Sequence, residues 1–270
     1  MSPVVASIQL ETIPLAIDDN LDRADQLIRQ ACHDGAEIVV LPEFFHTGYI
    51  LSSYCLDHAE PIGGKYTKWI KSRSMRHGIY LGTCLAEKSY DGHFDTFVLC
   101  TPSGDVMTYR KRYPAPFEHS YFRAGKSEGI FHTQLGRIGV MICWDMIQRP
   151  LMREMRGRID LLLISAAWPD HAGGNLPFPI MGPRIRQKCL QRPGDLAQKL
   201  DVPVVFCNMT GQFCSFLPDL GLEFSSPFVG ASSVIDAGGT VLDRLGREEA
   251  IATAPVSLPG SGEHQILKAA

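Results

Sequence analysis

The chain has no run apolar enough and long enough to cross a bilayer. Its longest candidates are broken by charge, proline or glycine within about ten residues, where a span needs about 20. The opening Met1-Ser2-Pro3-Val4-Val5 lacks the basic start and apolar core of a secretory signal, so a cytoplasmic location is expected. A basic footprint is missing as well. The 26 Lys and Arg stand against 29 Asp and Glu, a formal net charge of -3 that argues against a nucleic-acid partner. Cysteine is not scarce, at eight residues, but no C-x-x-C pair and no zinc-type spacing with histidine occurs. Neither a disulfide framework nor a metal site is therefore expected, and scattered thiols suit a reducing compartment. Glycine-rich phosphate loops are lacking too: there is no GxGxxG and no GxxxxGK(S/T), which argues against nucleotide chemistry.

What is present describes an ordinary well-packed chain. Its 270 residues are 45% hydrophobic and 20% charged, enough for one large α/β domain. Residues 4–9 read as a strand and 20–34 as an amphipathic helix carrying Leu21, Ala24, Leu27, Ile28 and Ala31 at helical spacing. A second strand follows at 37–41, which completes a βαβ unit. A helix at 65–76 leads to strands at 79–85, 96–100 and 106–109. A hairpin at 131–137 leads into the strand Ile138-Gly139-Val140-Met141-Ile142, and a helix at 151–156 precedes a strand at 160–165. A Gly/Pro-rich loop spans 168–183 and is long enough to act as a lid. A helix at 184–200, broken at Arg192-Pro193-Gly194, leads to a strand at 204–208. The last ordered pair is expected at 231–236 and 240–245. With no linker or internal repeat, residues 1–270 read as a single domain. Mixed βαβ units and hairpins favour two sheets covered by helices over a doubly wound sheet.

Three ionisable residues follow buried strands. Cys143 ends the strand 138–142 and precedes Trp144-Asp145 and a helix opened by Pro150. Backbone N–H groups and the positive end of a helix there would favour a thiolate and hold an oxyanion. Glu43 follows Ile38-Val39-Val40-Leu41-Pro42, and Lys111 follows another strand in Tyr109-Arg110-Lys111-Arg112-Tyr113-Pro114. Each has a plainer reading: a core cysteine, a helix-capping acid, a solvated basic edge. Together they supply a thiol, a base and a cation, the parts of an acyl-transfer site. Cys84, Cys100 and Cys207 lie in apolar runs and read as core.

The segments Leu41-Pro42-Glu43-Phe44-Phe45, Tyr109-Arg110-Lys111 and Gly139-Val140-Met141-Ile142-Cys143-Trp144-Asp145 resemble the three signature blocks of the nitrilase superfamily of carbon–nitrogen hydrolases, in the family's order. Ala6-Ser7-Ile8-Gln9 and Gly230-Ala231-Ser232-Ser233-Val234-Ile235-Asp236 extend the resemblance over nearly the whole chain. It implies an α/β fold, a four-layer α-β-β-α sandwich, assembled as a homodimer or larger homo-oligomer, with no metal or organic cofactor. It also implies Glu43 as general base, Lys111 as stabiliser of the intermediate and Cys143 as nucleophile. Glu118 becomes the second glutamate, and the Trp144 N–H completes the oxyanion hole. Phe44, Tyr49, Phe117, Trp144 and Trp168 are the candidate substrate-lining residues, although residues of this kind are more often core than contact. His171 is not needed as a base, because Glu43 fills that role.

The implied function is a thiol hydrolase that cleaves the non-peptide C–N bond of a small linear amide or N-carbamoyl compound through a Cys143 thioester. Nitrile hydrolysis on the same residues is the alternative, and a catalytically silent binding or scaffold protein is the alternative of another class. The chain departs from the family pattern at Arg112-Tyr113-Pro114, where relatives carry x-His-Leu, and at Gln198-Lys199-Leu200-Asp201-Val202, where Arg-Ala-x-Glu-Asn is common. Asp145 stands where nitrilases commonly carry Glu, which favours amides modestly; a helix cap is its other reading.

Overall fold

The computed structural model describes residues 2–258, apart from 51, 176–181 and 218–221. Three parallel strands, Val4–Gln9 (β1), Ile38–Glu43 (β2) and Tyr80–Ser89 (β3), form the centre of a first sheet. They run parallel because helices cross between them: Ile17–His33 (α1), then the short Tyr54–Asp57 (α2) and Lys65–His77 (α3). Gly92–Cys100 (β4) and Val106–Arg110 (β5) extend one edge antiparallel. The second sheet repeats the plan. Gly136–Ile142 (β7), Leu161–Ser165 (β8) and Val204–Cys207 (β9) are parallel, with helices Arg149–Met155 (α4) and Gly182–Leu200 (α5) between them. Ile130–Thr133 (β6) flanks one edge, and Ser233–Ile235 (β12) with Val241–Arg244 (β13) flanks the other.

Alternation along the strands builds the layers. In β2, Val39 and Leu41 pack in one cluster with Leu21, Ala24 and Ile28 of α1 and Tyr66 and Ile70 of α3. Ile38 and Val40 point the other way and join Leu162, Val204 and Val205 of the second sheet. Small polar side chains stitch the two sheets: Ser7 Oγ donates to the Phe206 carbonyl at 2.8 Å, and Ser165 Oγ to that of Leu41 at 2.9 Å. The Cys207 thiol donates to the Ile8 carbonyl at 3.1 Å, a core role like that of buried Cys84 and Cys100. Helices outside and two sheets inside make the expected α-β-β-α sandwich.

Several boundaries differ from the sequence reading. Helix α1 begins at Ile17, three residues early, because buried Asn20 faces inward and ties the preceding loop through Ile13 and His46. The strands β3 and β4 form a longer hairpin than 79–85 and 96–100 suggested. Their polar tips are held by Glu87, which accepts from Arg110 and Thr96. Helix α5 runs unbroken through Pro193, whose ring lies on the buried face with Cys189, Leu196 and Ala197, so packing overrides the breaker. The pair at 231–245 is not the last ordered element. Ala250–Pro255 (β14) pairs antiparallel with β1 and closes the first sheet's other edge. A hairpin of Gln212–Leu217 (β10) and Leu222–Pro227 (β11) was also missed.

Buried Asn208, just past β9, joins the loops at the ends of the strands. Its Oδ1 accepts the Trp168 N–H at 2.7 Å, and its Nδ2 donates to the Gly230 carbonyl at 2.9 Å. Asn208→Ala would leave both partners buried and unpaired, at a cost of about 2–4 kcal/mol. A thermal melt is expected to show a midpoint lower by about 5–15 °C. An unchanged midpoint would show that the two loops hold each other without it.

Candidate active site

Glu43 is the last residue of β2 rather than the first beyond it, and it is fully buried. Its backbone N–H donates to the Ala166 carbonyl across the sheet interface at 3.3 Å, and its Oε2 accepts the Ala167 N–H at 2.8 Å. The carboxylate is thus fixed by the chain leaving β8. Phe44 follows with φ 52°, a left-handed turn that swings the chain away and leaves the Glu43 side chain at the strand end.

Cys143 repeats this device in the second sheet. It is the first residue of a 3-10 turn, Cys143–Ile147, and its φ of 44° bends the chain sharply out of β7. Such a conformation costs about 1–2 kcal/mol for a non-glycine residue and must be held by its surroundings. Asp145 is part of that hold. Its Oδ2 accepts the Ile142 N–H at 3.2 Å and the Tyr109 hydroxyl at 2.9 Å, while Oδ1 accepts the Tyr113 N–H at 2.9 Å. The Asp145 carboxyl therefore ties the Cys143 turn to both sides of Lys111, a job beyond a simple cap. Its burial pushes its pKa up to about 7 against these hydrogen bonds and Lys111.

Lys111, one residue past β5, is the centre of the cluster. Its Nζ lies 2.7 Å from Glu43 Oε1, 2.8 Å from Glu118 Oε2 and 3.1 Å from Asp95 Oδ2, with all four side chains fully buried or nearly so. Glu118 opens a short 3-10 turn, Glu118–Ser120, and is held by the Tyr49 hydroxyl and the Ala115 N–H at 2.6 Å. Burial alone would lower the Lys111 pKa. The charges of Glu118 and then Glu43 chiefly outweigh it and hold the ammonium well above the ordinary lysine range. Three carboxylates so close could hold a metal ion, but the Lys111 ammonium already stands among them.

The thiol of Cys143 lies within the electrostatic reach of this cluster. Burial and then the Glu43 charge push its pKa well above the usual value, and Lys111 only partly offsets them. Burial therefore opposes the thiolate that strand-end N–H groups and a nearby cation were expected to favour. His171 is also partly buried, with its pKa lowered by that burial.

The aromatic candidates fall into two groups. Phe44 stacks on Tyr49 at 5.8 Å and on Phe122 at 5.5 Å, with Phe117 packed against the same cluster. Trp144 stacks on buried Trp168 at 5.3 Å and 23°. The proposed 168–183 lid falls partly on residues 176–181, outside the described residues. Its described start is pinned: Asp170 is buried, accepts from Arg247, and bonds through its N–H to the Pro227 carbonyl at 2.7 Å. Sequence reasoning missed Asp95. The signal was there, a carboxylate inside the apolar strand Phe94-Asp95-Thr96-Phe97.

A thiol past the end of β7, with a clamped ammonium past β5 and a carboxylate at the end of β2, lies within an α-β-β-α sandwich. Comparisons with known proteins place the chain among hydrolases of carbon–nitrogen bonds outside peptides. The family model described as carbon-nitrogen hydrolase matches residues 4–264, and the chain belongs to that family. It is 28% identical to a 2-oxoglutaramate amidase of Bacillus subtilis (strain 168), covering 91% of this chain and 87% of that one. It is 29% identical to an omega-amidase of Mus musculus, covering 94% and 88%. Among solved structures, a carbon-nitrogen hydrolase from Helicobacter pylori G27 superposes with a TM-score of 0.83 at 19% identity, over 95% of this chain and 90% of that one. An amidase from Nesterenkonia sp. AN1, its active-site cysteine carrying acrylamide, superposes with a TM-score of 0.73 at 20% identity, over 99% of both chains.

A neutral resting thiol has a measurable consequence. The rate of alkylation at Cys143 by iodoacetamide, followed by peptide mass, is expected to climb through neutral pH and to be still rising above about 9. A plateau reached below neutral pH would reveal a preformed thiolate instead.

Proposed function

We propose that this chain hydrolyses the terminal amide of a small linear compound through a thioester on Cys143, releasing ammonia. The observation that carries this reading is the contact of one buried ammonium, Lys111, with both Glu43 and Glu118, whose charges act together on the Cys143 thiol. Because the thiol is neutral, Glu43 takes its proton as the sulfur attacks the carbonyl carbon. The C–S bond forms and the carbonyl pair moves onto oxygen, where a Lys111 N–H and the Trp144 backbone N–H hold it. Glu43 passes the proton to the nitrogen, the C–N bond breaks and ammonia leaves. Glu43 then takes a proton from water, whose oxygen attacks the thioester; the C–S bond breaks, the acid departs and Cys143 regains its proton. Glu118 keeps Lys111 and the amide in register, with its own carboxylate fixed by Tyr49 and Ala115.

A terminal amide is favoured over a nitrile by the full-length relatives, named 2-oxoglutaramate amidase and omega-amidase. A panel of linear amides, N-carbamoyl compounds and nitriles, assayed for ammonia release, tests the reading. Amides are expected to turn over, Cys143→Ala to lower the rate by at least ~10³-fold, and Glu43→Gln by ~10²–10⁴-fold, with the circular dichroism spectrum unchanged. Turnover that persists in Cys143→Ala would sink the mechanism. Turnover of nitriles alone would replace the amide reading, and no turnover of any compound would leave a binding protein.

A further inference from the structure

The Lys111 cluster contains one carboxyl group that the proposed mechanism does not use. Asp95 lies in β4, fully buried, and its carbonyl accepts the Lys111 backbone N–H at 2.8 Å. Its side chain differs from the other two acids in what it receives. Glu118 accepts from the Tyr49 hydroxyl, the Ala115 N–H and Lys111. Glu43 accepts from Lys111 and the Ala167 N–H. Neither oxygen of Asp95 accepts a hydrogen bond from the described residues; Oδ2 only lies near Nζ, at 3.1 Å. Hydrogen bonds stabilise an ionised carboxylate, so Glu43 and Glu118 are equipped to be charged and Asp95 is not.

Charge balance points the same way. With every group ionised, three carboxylates and one ammonium would leave two net negative charges in a dry pocket that must still host a developing thiolate. An ammonium has three protons; Lys111 donates to Glu43 and Glu118, with Asp95 Oδ2 beside it at 3.1 Å, so an oxyanion would compete with Asp95 for the remaining proton.

We propose that Asp95 is a positioning residue that stands beside Lys111 as a neutral carboxylic acid, removing one negative charge from the site and leaving the third Nζ–H free for the tetrahedral intermediate. The neighbouring Glu43 carboxylate can accept its proton. The groups facing Asp95 are Glu43 from β2, Cys84 from β3, Lys111 past β5 and Glu118 from its 3-10 turn. Burial raises the Asp95 pKa well above the ordinary value; Lys111 opposes this, and Glu43 and Glu118 add to it. The acid form is the competent one, so competence is lost as pH rises and Asp95 ionises, drawing the third N–H toward itself.

The inference rests on the amide-hydrolysis reading for its kinetics but not for its spectroscopy. Asp95→Ala is expected to lower kcat ~100-fold with KM changed less than about threefold. Asp95→Asn, which keeps a neutral donor, is expected to recover kcat to within ~10-fold of the unmodified enzyme. In Asp95→Asn the alkaline fall of kcat is expected to move up by at least about one pH unit. An Asn variant as slow as the Ala variant would show that a charge is needed, and would overturn the proposal. Independently of turnover, the infrared spectrum at about pH 7 is expected to show a carboxylic-acid C=O band that disappears in Asp95→Asn. Absence of that difference overturns the proposal even if amide hydrolysis holds. If no amide is hydrolysed while the band difference is present, the function fails and the protonated Asp95 stands.

Discussion

One ammonium, clamped by carboxylates where water does not reach, is the interaction on which the rest of this structure depends. Lys111 meets Glu43 from the parallel core of the first sheet, Asp95 from a neighbouring strand and Glu118 from the loop beyond. Burying Glu43 and Glu118 as carboxylates depends on it, since removing one partner of a buried ion pair costs about 3–5 kcal/mol. Contacts among the same groups also fix the loops that carry the aromatic walls. Tyr49 reaches Glu118, and Ala167, next to Trp168, reaches Glu43. The second sheet brings Cys143 to this clamp through the strained turn at the end of β7, with Asp145 bonded to both sides of Lys111.

This arrangement makes reactivity conditional. In the proposed mechanism, a thiolate formed in advance would suit indiscriminate alkylation, whereas a neutral thiol beside a carboxylate would react only when a carbonyl carbon is placed to receive the sulfur. The low dielectric that suppresses the thiolate also strengthens each donor aimed at the oxyanion. Burial and catalysis are therefore served by the same exclusion of water.

The sequence made the outline of this site legible because a βαβ fold presents its strand ends as a row, and Glu43, Lys111 and Cys143 each follow an apolar run ending in that row. Glu118 was legible only through the family resemblance, since a loop acid has no periodicity to mark it. Asp95 and Asp145 were harder. Asp95 hides in the middle of a strand whose neighbours read as core, and Asp145 reads equally well as a helix cap until Tyr109 and Tyr113 are seen to donate to it. The sheet partners β14, β10 and β11 escaped notice because pairing is a long-range property; β14 finds β1 some 240 residues away in sequence. Pro193 misled for the related reason that a buried helix face can outweigh a local breaker.

The claim that the Lys111 ammonium is what permits Glu43 and Glu118 to be buried as carboxylates is tested by melting the native chain and Lys111→Met across pH. In the native chain the folded Lys111 pKa is raised above its unfolded value of 10.5, so its contribution is fully present below that value and constant from about pH 5 to 8. Without the ammonium, nothing among the described residues opposes the burial that already favours the neutral form of Asp95 in the folded state. Stability is then retained below the ordinary carboxylate range of about 4 and lost as pH rises. The melting deficit of Lys111→Met is accordingly expected to be small at or below about pH 4 and to widen as pH rises from there. A deficit independent of pH, or none at all, would contradict the account.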